Sequence, residues 1–369
     1  MRIPRIPGTL LRQFPRRFGL RAALVLIGIT LTVDALQGQE PKLLEEVGEL
    51  GGVRTVGSVV LGSLDDPFDL SSPFATVHKR QDGGYVVLSL HYERGSLGLY
   101  DREGRFAGEI GGPGEGPGEH RRIVAFAAHA LDSVFTVDAS GRFNVFNPDG
   151  DLVRTGRMSP VPWRLRWLHH GRRIAAADSR TPRFAGIPLH LMSPEGTLTT
   201  SFGSLDEVRD PRSYPSQRRR IPVASGTGRE MQVYSVSPAT YRIDAWSTEG
   251  EFRDVWVRKN QWFPPTSSQS ETGLITGVYE DGERRLWVAI AVADPHRTPE
   301  PETEFSIGQM NSIMDTVVEV VDLSAGRILA SGRFEGRAAG FSSAGDLITL
   351  EEDGIGMVRI RLLKLDIVE

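Results

Sequence analysis

Residues 134–150 read VFTVDASGRFNVFNPDG, and this stretch decides the fold class. Apolar and polar residues alternate on both sides of a short polar turn, and this period of two is typical of β-strands. The stretch ends in Asp149 and Gly150. An acidic residue followed by glycine is a strong hairpin signal, because glycine supplies the positive φ that such turns need. We therefore predict two strands followed by a hairpin turn.

The same pattern recurs along the chain, each time ending in a turn glycine. These glycines are Gly104, Gly150, Gly196, Gly250 and Gly326, which lie 46, 46, 54 and 76 residues apart. A unit of that length holds about four strands, which is the size of a propeller blade. No stretch after residue 52 shows a period of 3.6, so we predict no helix there.

The number of units predicts how the ring closes. We count six units, of which the last has only three strands, while an N-terminal strand at residues 53–61 has no partner of its own. If this strand completes the last unit, no sheet edge is left open at the closure. We therefore predict an all-β, six-bladed β-propeller with four-stranded blades, closed by pairing the N-terminal strand with the last blade.

Two stretches carry a resemblance to a known family. Residues 134–150 resemble NHL-type repeats, and residues 111–120, GGPGEGPGEH, are similar to the G-x-G-P-G-E-F motif of bacterial exported six-bladed β-propeller proteins. His120 stands where that motif has an aromatic residue. The resemblance implies a six-bladed propeller over residues 53–369, and it implies little about activity because such propellers host many functions.

The N-terminus predicts export. Residues 1–38 contain six arginines and one acidic residue, Asp34, and residues 22–33 form an apolar run of twelve. That run is shorter than the ~20 residues of a membrane-spanning helix, so we interpret residues 1–38 as a signal peptide. A Sec signal is favoured over a twin-arginine signal, and an uncleaved anchor is the alternative. Residues 39–52 are then a linker or a short helix, and we expect a periplasmic or secreted monomer with no membrane contact after cleavage.

Composition excludes several classes of function. The chain has no cysteine, which excludes disulfide frameworks, thiolate metal sites and cysteine nucleophiles. Its net charge is −4 and falls to about −9 without the basic signal segment. An acidic protein lacks the basic face that supplies most nucleic-acid affinity, so we expect no nucleic-acid partner.

Catalytic motifs are weak in this sequence. The glycine-rich stretch 111–120 does not suit phosphate binding, because two prolines remove N–H donors and Glu115 and Glu119 repel anions; we interpret it as a crossover between blades. The eight histidines form no H-x-x-x-H pair. We interpret Asp138 as a turn-capping residue. No cofactor is predicted, although a calcium or zinc ion bound at the central channel stays open, as in a hydrolase or lyase of the gluconolactonase or NHL-lyase kind.

Long insertions favour a binding function over catalysis. They span residues 111–120, 204–222, 260–273 and 293–313. In four-stranded blades the crossovers and the second-to-third strand loops emerge on one side, which we call the loop face. Aromatic residues and arginines there are common binding anchors. The candidate binding residues are Glu119, His120, Tyr214, Arg218, Arg219, Arg220, Trp262, Phe263, His296 and Arg297.

Two hypotheses of function make different structural demands. The first is a binding or scaffold module that holds a protein, a peptide or a glycan, and it requires an apolar or arginine-lined patch on the loop face. The second is a metal-dependent hydrolase or lyase, which requires acidic or histidine side chains that converge on the channel. A purely structural role requires neither. The run of Arg218, Arg219 and Arg220 suits an anionic group, although a solvated charge run is the commoner explanation.

Overall fold

The structure is a computed structural model. It describes residues 40–63, 65–72, 74–89, 95–129, 131, 133–168, 171–177, 183–184, 186–203, 219–225, 231–259, 273–296, 306–353 and 356–368. Residues 41–369 form one compact unit. The predicted signal peptide, residues 1–38, lies outside the described residues.

Consecutive antiparallel strands form sets that follow one another along the chain. The first set has β2 (Ala75–Lys79), β3 (Tyr85–Ser89), β4 (Ser96–Tyr100) and β5 (Phe106–Pro113), with the short β6 (Glu119–His120) parallel to β5. The second has β7 (Ile123–Ala128), β8 (Val134–Asp138), β9 (Arg142–Phe146) and β10 (Leu152–Arg157). The third has β11 (Arg164–Trp167), β12 (Arg173–Ala176), β13 (Leu189–Met192) and β14 (Leu198–Phe202).

The second half of the chain continues the pattern. The fourth set has β15 (Ile221–Ser225), β16 (Gln232–Val236), β17 (Arg242–Ser247) and β18 (Phe252–Arg258). The fifth has β19 (Leu274–Glu280), β20 (Leu286–Ala293), β21 (Met314–Asp322) and β22 (Arg327–Glu335). The last has β23 (Ala338–Phe341), β24 (Leu347–Glu352) and β25 (Val358–Val368), and its fourth member is β1 (Lys42–Leu61).

The N-terminal strand β1 joins three sets. It pairs in parallel with β18 through residues 42–44 and with β22 through residues 45–52, and then antiparallel with β25 through residues 52–61. The predicted pairing of the N-terminal strand with the last strand is therefore present. Residues 42–52, however, are strand rather than a linker or a short helix. The open edges of β18 and β22 supply backbone partners there, and Leu44 is only 1% exposed.

One short helix interrupts the strands. Helix α1 (Ile307–Ile313) lies between β20 and β21 and begins in a capping box, in which the Ser306 hydroxyl accepts from the Gln309 N–H. Our prediction of no helix after residue 52 is wrong at this point. In the part of the chain that the structure describes, no helix has the length and apolar character needed to cross a membrane.

Polar side chains close the turns of the repeat. Asp138 Oδ1 accepts hydrogen bonds from the N–H groups of Ser140 and Arg142 at 2.8 and 3.0 Å, which confirms its turn-capping role. Asp281 does the same for Glu283 and Arg285 at 2.9 and 3.0 Å. The five turn glycines predicted from the repeat all have positive φ. The recurring sequence pattern thus produces recurring turns, in which an aspartate side chain accepts hydrogen bonds from backbone N–H groups.

The first strand of each set lies on the inside. β7 packs on β11, β11 on β15, β15 on β19, β19 on β23, and β23 on β2. Apolar side chains fill the spaces between sets: Phe135 and Phe143 stack with centroids 4.8 Å apart and pack against Leu165 and Met192 of the next set. Successive four-stranded antiparallel sets arranged around a common axis make this an all-β protein of the β-propeller type.

A buried histidine makes the stability of this fold depend on pH. His190 lies inside the third set, with Nδ1 2.9 Å from the Ser201 hydroxyl and its ring edge-on to Phe184. Burial lowers the pKa of His190 to about 4. The unfolded chain, with a pKa of about 6.5, binds the proton first, so stability falls as pH drops from 6.5 towards 4.

We expect His190→Gln to flatten this pH dependence. The slope of the free energy of unfolding between pH 6.5 and 4 should fall by up to about 1.4 kcal/mol per pH unit, the value for one proton. Urea denaturation at several pH values measures the slope. The control is His296→Gln, which removes an exposed histidine. Equal slopes in the two variants would contradict the prediction.

Candidate functional site

A cavity of about 430 Å³ lies where the innermost strands begin. Its wall includes the first residues of β2, β7, β11, β15, β19 and β23, or the residues just before them. Each innermost strand starts after the crossover from the previous set, so this end of the cavity opens on the loop face. Pro238, in the connection between β16 and β17, also lines the cavity, as expected for a second-to-third strand connection on that face.

Five arginines line the cavity. Arg164 and Arg166 belong to β11, and the others, Arg122, Arg219 and Arg337, precede β7, β15 and β23. Among the described residues of the lining there is no aspartate or glutamate. The rest of the wall is mostly apolar, with Phe74, Trp163 and Leu274 among its larger side chains. An acidic protein thus concentrates positive charge in its central cavity.

Aromatic rings and one hydroxyl hold the guanidinium groups. Arg164 and Arg219 both lie against the ring of Trp163, with their guanidinium carbons 5.7 and 5.2 Å from its centroid. The guanidinium of Arg337 is 5.6 Å from the ring of Phe74. Arg164 Nη1 also donates to Thr76 Oγ1 at 2.9 Å. Cation–π contacts of this kind position a cation without neutralising it.

Burial and mutual repulsion disfavour the charges in this cavity. Burial, together with the charges of Arg166, Arg219 and Arg337, lowers the pKa of Arg164 to about 10. Burial also lowers the pKa of Arg166. Arg164 is still cationic at neutral pH, because its pKa lies well above 7. The cavity therefore holds several cations side by side, two of them partly buried, and an anion would relieve their repulsion.

The structure places one predicted arginine in this cavity. Arg219 lines it, whereas Arg220 is buried with Nε 3.9 Å from Asp244 Oδ2. Arg220 is therefore not part of a solvent-exposed run of charges. Arg242 also reaches this carboxylate, at 2.8 Å. The other predicted residues of the long loops, Tyr214, Arg218, Trp262, Phe263 and Arg297, lie outside the described residues.

Glu119 and His120 both lie in the glycine-rich crossover, where they bond to its backbone or its neighbours. Glu119 Oε2 accepts from the Gly116 N–H at 2.7 Å, which closes the loop on itself. The His120 ring is 0% exposed, with Nδ1 3.2 Å from the Gly95 carbonyl and Nε2 2.8 Å from the Thr136 hydroxyl. Burial lowers the pKa of His120. A fully enclosed side chain cannot contact a ligand, so His120 belongs to the interior.

His296 lies apart from the cavity. It is exposed in the connection after β20, where its backbone N–H donates to Asp294 Oδ1 at 2.8 Å. It is not among the residues that line the cavity. Of the five predicted site residues that the structure describes, only Arg219 joins the arginine cluster.

Sequence reasoning missed four of the five cavity arginines. Arg122 and Arg337 are single residues before strands, and nothing local distinguishes them. Arg164 and Arg166 did carry a signal, because they alternate with Leu165 at the start of a short strand and must therefore share one face of it. That this face points to the axis depends on the closure of the ring.

The metal hypothesis finds no ligand set in the described residues. There, no three histidine, aspartate or glutamate side chains converge closely enough to hold an ion. The cavity itself presents guanidinium groups, which repel cations. No cofactor is predicted from the sequence, and calcium or zinc binding stays an open alternative.

Comparison with known proteins supports the fold. No protein-family model matches the chain, and no curated protein matches it. Among solved structures, a protein of Bacteroides fragilis NCTC 9343 that carries the name "exported protein" is similar, with a TM-score of 0.60 and 12% identity over 89% of this chain and 99% of that one. A member of the DUF4221 family from Bacteroides vulgatus ATCC 8482 has a TM-score of 0.59 and 9% identity over 86% and 98%. At these identities the likeness shows the fold alone.

Proposed function

We propose that this chain is an exported, six-bladed β-propeller that acts as a non-catalytic binding module. It holds a protein, peptide or glycan ligand at the cavity on the loop face. The observation that carries the proposal is the cavity itself, with about 430 Å³ of space, mostly apolar walls and clustered arginines. Concave, largely apolar sites with a few polar anchors are typical of ligand binding.

The six-blade count and the cellular location are part of the same proposal. Six innermost strands line the cavity in the described residues, and β1 supplies the fourth strand of the last set. The basic and apolar segment of residues 1–38 supports a periplasmic or secreted location. The likeness to a Bacteroides protein named as exported agrees with it. Kinship with NHL-type repeats rests on residues 134–150 alone, and a monomer stays our expectation.

Filling the cavity tests this function. Leu274 lines the cavity and is partly exposed, so we expect Leu274→Trp to occupy space at its mouth without changing any charge. The exported protein should capture at least one component of an envelope extract, and this variant should lose about tenfold or more of that capture. Affinity capture followed by mass spectrometry measures it.

The matched control is Leu152→Trp, which adds the same ring to the exposed outer strand β10. It should capture as well as the wild type. Equal capture by Leu274→Trp and Leu152→Trp would overturn the cavity as the binding site.

A metal-dependent hydrolase or lyase remains the alternative, and no specific observation favours it. Elemental analysis of the exported protein, purified without chelators, tests it directly. One tightly held calcium or zinc per chain would favour the alternative and direct assays towards lactones and esters.

A further inference from the structure

The cavity arginines differ from Arg258 and Arg220 in how they are compensated. Outside the cavity, Arg258 pairs with Glu319 and Arg220 lies near Asp244. Within the cavity, Arg164, Arg166 and Arg219 form no ion pair with any described carboxylate. Arg164 and Arg166 are partly buried and Arg219 is exposed, and placing such charges side by side without a carboxylate is costly.

The geometry favours a ligand with more than one negative group. Arg164, Arg166 and Arg219 line one cavity. Arg164 and Arg219 lie against the same ring, that of Trp163, so these guanidinium groups act on one region. Each guanidinium offers a planar fork of donors that matches the two oxygens of a carboxylate or a phosphate. One small anion can satisfy one or two forks, whereas the three guanidinium groups of Arg164, Arg166 and Arg219 call for at least two anionic groups.

The walls between the arginines define the rest of the ligand. Phe74, Trp163 and Leu274 present apolar surface beside the cationic groups. A fully hydrated inorganic ion would leave this surface in contact with water. A compact apolar or aromatic body would cover it and gain hydrophobic burial.

We propose that the cavity is a polyanion site, which takes a ligand carrying two or more carboxylate, phosphate or sulfate groups on a compact apolar body. This inference rests on the proposed binding function and names the chemistry that the cavity recognises. The binding groups are the guanidinium groups of Arg164, Arg166 and Arg219, and Trp163 holds two of them in place.

Removing one arginine charge from the cavity should weaken ligand binding and raise the stability of the ligand-free protein. Without a ligand, the repulsion among these cations opposes folding, so removing one charge relieves it. With a ligand, the same charge supplies a charge-assisted hydrogen bond. A merely structural arginine would behave differently, because losing its hydrogen bond to Thr76 would lower stability.

Two probes test the proposal on the exported protein at constant ionic strength. Benzene-1,3,5-tricarboxylate carries three carboxylates on an aromatic ring, and inorganic pyrophosphate carries two phosphate groups without an apolar body. We expect calorimetric titration to show one site for the tricarboxylate and none for acetate. Pyrophosphate binding shows whether paired anionic groups are recognised without an apolar body.

Charge removal locates the site. We expect Arg164→Gln and Arg166→Gln each to weaken tricarboxylate binding about 10- to 100-fold, the effect of losing one hydrogen bond between charged groups. The matched control is Arg253→Gln, the same change of charge on the exposed part of β18, which should bind within about twofold of wild type. We also expect the ligand-free Arg164→Gln variant to melt above the wild type.

The outcomes separate this inference from the proposed function. If neither probe binds the wild type at millimolar concentration, or if Arg164→Gln and Arg253→Gln bind alike, the polyanion site is wrong. If Arg164→Gln melts below the wild type without ligand, the arginine is structural and the inference is overturned too. In each case, loss of capture by Leu274→Trp would still support a binding cavity, whereas unchanged capture would reject the proposed function itself.

Discussion

Replacing Glu319 by alanine will lower the free energy of unfolding by about 3–5 kcal/mol, because it removes the buried partner of Arg258 and leaves only Glu46, whose side chain is 51% exposed. The Arg258 side chain is 5% exposed and that of Glu319 is 3% exposed, and Nη2 lies 3.0 Å from Oε1. Burial disfavours the charge of Arg258, but hydrogen bonds to Glu319 and Glu46 outweigh burial and raise its pKa. Burial, together with the charge of Glu319, raises the pKa of the Tyr241 hydroxyl well above its ordinary value.

This ion pair ties three parts of the fold together. Arg258 ends β18, Glu319 lies in β21 of the next set, and Glu46 belongs to the segment of β1 that crosses both outer edges. A guanidinium that has lost its buried partner would weaken the contact between these two blades. Denaturation in guanidinium chloride, followed by tryptophan fluorescence, measures the loss.

The double variant Arg258→Met with Glu319→Leu is the control. It removes both charges and keeps similar volume, and such replacements of buried pairs are often neutral or stabilising. We therefore expect it to recover most of the stability that Glu319→Ala loses. A loss below about 1 kcal/mol in Glu319→Ala would show that water or a rearranged carboxylate compensates Arg258, against our prediction.

Gly104→Ala will destabilise the protein by a comparable amount, about 3–5 kcal/mol. Gly104 ends the turn between β4 and β5 with a φ of +86°, a conformation that costs an L-residue energy. A Cβ atom there would lie 2.0 Å from the carbonyl oxygen of Val60 in β1. Either the turn at Gly104 or β1 must therefore move. Because β1 closes the last blade, the clash disturbs that closure.

The repeat supplies a matched control for this substitution. Gly150 ends the equivalent turn of the second set with a φ of +87°, and a Cβ atom there would meet Ile110 at an ordinary 3.6 Å. Gly150→Ala should therefore cost only the conformational strain, about 1–2 kcal/mol. The difference between the two variants measures the clash with β1. Thermal and denaturant unfolding should both show a larger loss of stability for Gly104→Ala than for Gly150→Ala. Equal losses in the two variants would refute the close approach of Gly104 to Val60.

Local sequence determined the strands and turns of this protein. A period of two in stretches such as residues 134–150 sets which side chains face inward, and Asp138 and Gly150 act through hydrogen bonds and φ values within a few residues of themselves. Such interactions need no distant partner. The strand pattern and the turns are therefore readable without a structure. The pairing of the N-terminal strand with the last one follows instead from counting the strands of the last unit.

Tertiary structure decided the features that depend on distant partners. Residues 42–52 have the spacing of a short amphipathic helix but form a strand, because β18 and β22, more than 200 residues away, offer open edges. Helix α1 is too short to show a clear period. The arginine cluster also depends on distant partners. The closed ring brings Arg164, Arg219 and Arg337 into one cavity, although they are far apart in the sequence. Sequence alone thus specified the repeating unit, whereas the chemistry at its centre exists only once the units close around it.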